Sequence, residues 1–125
     1  LTARALAVTY IMLPASLDLV IFRDVTFSLG INCLDVNNSP VDITGWTPYA
    51  QARDKPGGRL IIDLAPTISG SPVNGAVVIS LSSAQTSALE HGTFVWDFHM
   101  RQPNGLIIGP FLGGKFIVND SVTNP

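Results

Sequence analysis

The run Gly92-Thr93-Phe94-Val95-Trp96-Asp97-Phe98-His99-Met100-Arg101 carries a large apolar side chain at every second position from Phe94 to Met100. Strict alternation of this kind is the pattern of a β-strand with one buried face. Burying four such side chains contributes about 1.5–3 kcal/mol each, so this strand belongs at the centre of a core. The pattern spreads outward from it. Val25, Phe27, Leu29, Ile31 and Cys33 alternate with Thr26, Ser28, Gly30 and Asn32, and upstream Leu17, Leu19 and Ile21 alternate with Asp18, Val20 and Phe22. Trp46, Pro48, Ala50 and Ala52 alternate with Thr47, Tyr49, Gln51 and Arg53, and Pro48 marks an edge or a bulge because it donates no ladder hydrogen bond. Arg59 to Leu64 returns from the loop Asp54-Lys55-Pro56-Gly57-Gly58, Ala76 to Leu81 follows a Pro/Gly/Ser-rich stretch, Leu106 to Ile108 is short, and Lys115 to Val118 supplies a last strand. The single helical signal is Ser82-Ser83 capping a turn from Ala84 to Leu89, ended by Gly92.

These elements predict an all-β fold, an antiparallel immunoglobulin-like β-sandwich of seven to eight strands with one short helical turn. At 125 residues there is room for one domain with a real core. The expected division is an N-terminal arm over 1–15, the sandwich over 16–119 and a tail over 120–125. Phe27, Leu29, Ile31, Trp46, Phe94, Trp96, Phe98 and Phe116 are the expected core. Cys33 continues the apolar face of its strand and reads as a buried small hydrophobe.

Charged residues are 13% of the chain, against roughly 25% in a typical soluble domain. Nine acids and seven bases leave a net charge of −2, and only Lys55 and Lys115 are lysines, so no clustered basic face for nucleic acid is present. One cysteine excludes an internal disulfide and a cysteine-rich zinc site. Asp97 and His99 share a strand face, within reach of each other, but a hydrolytic triad needs a nucleophile and a metal needs further ligands. Neither His91 nor Glu90 stands at a ligand spacing that supplies them. The Asp54–Arg59 glycines lack the spacing and helix of a phosphate loop. No catalytic residue, metal ligand or cofactor site is therefore expected, and the chain reads as a non-enzyme.

The first sixteen residues hold one charge, Arg4. A short apolar region leading to Pro14-Ala15-Ser16 has the outline of a weak secretory signal, and nine apolar-dominated residues fall short of the ~20 that span a bilayer. The preferred reading is an arm whose Val8, Tyr10, Ile11, Met12 and Leu13 pair with a sheet edge, its own or a neighbour's. An ordinary first strand stands beside it. Gly109-Pro110-Phe111-Leu112-Gly113-Gly114 reads as an apolar loop. Phe111 and Leu112 there either meet another subunit or cap one end of the core. These seven residues are the candidate protein contacts. The rival use of the aromatics is a carbohydrate-binding platform, but alternation leaves only Tyr49 outward and turns Trp46 and Trp96 inward.

Several short segments in order carry a resemblance: Leu17-Asp18-Leu19 and Thr26-Phe27, the corner Asp42-Ile43-Thr44-Gly45-Trp46, and Gln51-Ala52-Arg53. Gly75 to Leu81, Ala84 to Leu89 and Gly92 to Asp97 continue it. Together they resemble the immunoglobulin-like N-terminal domain of phage baseplate upper proteins, over Leu17 to about Thr123. The resemblance implies a virion structural protein, an adaptor in the tail or baseplate, with a capsid decoration protein as the alternative. It implies partners among other virion proteins and copies of itself, with three-fold symmetry (a trimer) or higher, and no nucleic acid or membrane. In the corner itself, Asp42 and Thr44 can bond nearby backbone, Gly45 can take a positive φ and Trp46 can anchor the turn.

Overall fold

The computed structural model describes residues 2–5 (backbone only), 15–35 and 37–123. Among these residues ten strands form two facing sheets. The smaller sheet has the order β1 (Thr2–Ala5), β4 (Phe27–Cys33), β8 (Ala76–Leu81), β7 (Thr67–Ile68). In the larger sheet, β2 (Ala15–Ser16) is followed by β10 (Ile107–Asn119), β9 (Gly92–Arg101), β5 (Thr47–Arg53) and β6 (Leu60–Asp63), while β3 (Leu19–Phe22) also pairs with β10. This is the immunoglobulin arrangement, an ABED-type sheet facing a GFC sheet extended by β6 at one edge and by the short β2 and β3 at the other. The all-β sandwich expected from the alternation is what the chain forms, with more strands than the seven to eight counted. The extra ones are two-residue pieces, β2 and β7, and the N-terminal β1. The expected boundary between arm and sandwich falls within β2.

Antiparallel pairing prevails in the centre, and the N-terminal segments depart from it. β1 runs parallel to β4, with Thr2 beside Gly30 and Ala5 beside Cys33, and both β2 and β3 run parallel to β10. The chain thus contributes β1 to the edge of the smaller sheet, and β2 and β3 to the edge of the larger one, before the first full-length strand. β9 lies between β10 and β5, as its four large side chains require. Phe98 and Met100 are fully buried, and Trp96 and Phe94 nearly so. Leu29, Ile31, Cys33, Ile79 and Phe116 face them from the other strands. Two expected core aromatics are only half-buried: Phe27, the first residue of β4, and Trp46, just ahead of β5, lie at the ends of the sandwich and pack on its rim. Val25 is exposed, because β4 begins two residues later than the alternation suggests.

The larger sheet is locked to its N-terminal edge at one kink. The Trp96 indole Nε1–H donates to the Leu17 carbonyl at 2.8 Å, and the Lys115 N–H donates to Asp18 Oδ1 at 2.9 Å. The helical signal becomes α1 (Ser83–Ser87), one turn with a complete capping box. Ser82 caps the Gln85 N–H, and the Gln85 side chain accepts from the Ser82 N–H. The turn ends at Ala88, short of Gly92, which opens β9 instead.

Candidate protein-contact surface

The Asp42–Trp46 corner joins three loops at one end of the sandwich. Asp42 Oδ1 accepts from the Thr44 N–H at 3.0 Å and from the Thr44 hydroxyl, and these bonds hold its carboxyl below the ordinary aspartate range. Ile43 plugs into the core, its N–H donating to the Pro72 carbonyl at 3.0 Å, which ties the corner to the Pro72–Asn74 turn. Gly45 has φ +78°, and a Cβ there would stand 3.2 Å from the Pro103 ring, so the corner also rests on the β9–β10 hairpin. The neighbouring loops are braced in the same way. Asp35 Oδ1 accepts from the Asn37 and Ser39 N–H groups at 2.8 and 3.0 Å, and Asn104 Oδ1 accepts from the Leu106 N–H at 3.0 Å.

This braced end displays apolar side chains. Val73 is 54% exposed, Leu106 56% and Ile107 61%, the three highest among the large apolar side chains of the described residues outside the C-terminal tail. Trp46, the last residue of the corner, is half-buried and packs against the core. Alternation in the sequence does not single out these three, although one signal is present. Leu106, Ile107 and Ile108 are consecutive apolar residues, and two-fold alternation cannot turn all three inward.

Phe111 and Leu112 do not belong to this surface. The stretch expected as an exposed glycine loop is part of β10, one strand from Ile107 to Asn119 that is irregular between Ile108 and Leu112. The irregularity breaks alternation, so that adjacent residues both point inward: Phe111 is 8% exposed, its ring 6.3 Å from that of Phe98, and Leu112 is 1% exposed. Both side chains belong to the core of the single chain. Val8, Tyr10, Ile11, Met12 and Leu13 lie outside the described residues.

The outer face of the larger sheet carries the titratable pairs. Tyr49 stands opposite His99 and Gln51 opposite Asp97. His99 Nε2 lies 3.2 Å from Asp97 Oδ2, both partly exposed. A shallow groove of about 250 Å³ is lined by Gln51, Arg53, Pro56, Gly57, Val95, Trp96 and Asp97. Arg53 is spent on framing it, donating to the Gly58 carbonyl and to Gln51 Oε1, both at 2.8 Å. His91 is exposed, and Glu90 pairs with Arg59. Among the described residues no three His, Cys, Asp or Glu side chains come together as a metal set. Tyr49 is exposed while Trp96 is buried and Trp46 lies at the far end, so the aromatics form no flat platform on this face.

The fold has a counterpart among solved structures. The N-terminal domain of phage TP901-1 ORF48 superposes with a TM-score of 0.51 at 15% identity, covering 94% of this chain and 98% of that one. At that identity the likeness is one of fold. No protein-family model matches the chain, and no curated protein sequence aligns with it.

Proposed function

We propose that this chain is a bacteriophage virion structural protein, an immunoglobulin-like adaptor that works by protein–protein contacts, most naturally in the tail or baseplate, and that it catalyses no reaction. The observation that carries the proposal is the braced apolar end built by Val73, Leu106 and Ile107 around the Asp42–Trp46 corner. Loops held by Asx-type bonds lose little freedom on docking, so apolar area displayed on them converts efficiently into affinity. Burying roughly 250 Å² of such surface contributes on the order of 6 kcal/mol before the costs of association. The fold likeness to a phage protein domain and the low charge of the chain support the same reading. Its partners would be other virion proteins and further copies of itself.

The test is quantitative mass spectrometry of purified particles, with heads and tails separated before digestion. The chain is expected in fixed stoichiometry in the tail fraction. Recovery with heads at capsid copy number would make it a decoration protein, and absence from both fractions would remove the proposal.

A further inference from the structure

We propose that the edge of β4 over Gly30–Cys33 is a strand-acceptor site, and that in the assembled state it holds the Thr2–Ala5 strand of a second copy of this chain. The inference rests on the assembly reading above and names one of its partners.

Among the described residues β1 ladders with β4 alone, four residues in parallel register, and the next described strand belongs to the opposite sheet. The β4 edge thus supplies the main-chain partners that place it. The other edge of β4 is committed to β8 from Phe27 to Asn32, so the Gly30–Cys33 edge is where an added strand can register. Apart from Ile31, which is spent on the core, the residues on either side are small or polar, Thr-Ala-Arg-Ala against Gly-Ile-Asn-Cys, so recognition is by main-chain hydrogen bonds, as in other strand additions. Such a ladder is identical whether the strand comes from the same chain or from a copy, so exchange sacrifices no contact.

Two further facts favour the copy once molecules are packed together. The nine residues between Ala5 and Ala15 reach at most ~30 Å, the scale of a neighbouring domain of this size. They include Val8, Tyr10, Ile11, Met12 and Leu13 and no charge, an unusual composition for a surface connection within one domain. The exposed end described above buries only a fraction of the ~800 Å² per partner that stable interfaces use, and an exchanged strand with its connection adds to it. In dilute solution the tether favours the strand of the same chain through an effective concentration in the millimolar range, and assembly removes that advantage.

The test uses the pair Arg4 and Asn32, which are neighbours in the ladder, in an Arg4→Cys, Asn32→Cys, Cys33→Ala chain. An equal mixture of isotopically heavy and light chains is refolded at high concentration and oxidised, and the disulfide-linked peptides are read by mass spectrometry. Random exchange places one heavy and one light partner in about half of the pairs. Linked pairs of like isotope only would overturn the proposal. The unmutated chain supplies a check that needs no cysteine: isotope-filtered nuclear Overhauser contacts from Gly30–Cys33 amides to Thr2–Ala5 protons should cross between copies, and contacts confined to one copy would also overturn it. Like-isotope pairs in a chain that still enters particles remove the exchange and leave the structural role. Mixed pairs in a chain absent from particles do the reverse.

Discussion

A Cβ on Gly114 would lie 2.5 Å from the Leu17 carbonyl and 2.8 Å from Asp18 Oδ1, closer than any side chain tolerates. That glycine lets β10 close against the kink where Trp96 and Lys115 bond Leu17 and Asp18. Gly114→Ala should therefore cost about 1–3 kcal/mol, read as a lowered urea midpoint with unchanged m-value. Cys33 gives a prediction with a pH sign. Burial pushes its thiol up to about 11, because the thiolate would be stranded in the core. The folded pKa lies above the unfolded one, so stability is fully present below about pH 9 and falls by roughly 2–3 kcal/mol as the pH rises toward 11. Denaturant titrations at pH 8 and pH 11 should show that loss in the native chain, in excess of any loss in Cys33→Ala. The native thiol should also resist a disulfide reagent at pH 8 until urea unfolds the chain. The buried position of Cys33 was legible from its place on an alternating face. The role of Gly114 was not, since it depends on a carbonyl 97 positions away in sequence, at Leu17.

At the scale of elements, period two located β4, β5, β8 and β9 because each has one face in the core, and that is the signal alternation records. It misjudged β10 because glycines and a proline at 109–114 resemble a loop, while an irregularity within a strand accommodates the same residues and turns Phe111 and Leu112 both inward. β9 is the element with most to lose. Phe98→Ala should destabilise the fold by about 3–5 kcal/mol, measurable by calorimetry, as it empties the contact with Phe111. The capped turn α1 has a smaller share. Its Thr86 hydroxyl donates to the Val25 carbonyl at 2.9 Å and its Ser87 carbonyl accepts from Arg23 at 3.0 Å, closing the segment between β3 and β4. Ser82→Ala should cost about 1 kcal/mol in the same thermal melt, with the near-ultraviolet circular dichroism of the core aromatics preserved.

For the whole molecule, the sandwich and its low charge were evident from sequence, and the proposed contact face was not. The sequence points to an apolar arm and the Phe111–Leu112 pair, whereas the structure buries that pair and displays Val73, Leu106 and Ile107 at one end of the sandwich. Exposure of these three follows from how loops far apart in sequence meet at one end, through the Ile43–Pro72 hydrogen bond and the Gly45–Pro103 contact. No local pattern encodes that meeting. Because the three side chains support no part of the core, charging them should alter association and leave folding alone. The most direct measurement is incorporation of a Leu106→Asp, Ile107→Asp chain into particles in competition with the unmodified chain, with the melting temperature of each determined beside it. The account predicts melting temperatures that agree within about 3 °C, equivalent to ±0.5 kcal/mol for a domain of this size, and at least a tenfold deficit of the variant in particles, the effect of ~1.4 kcal/mol lost from docking. Equal incorporation of a folded variant would contradict it.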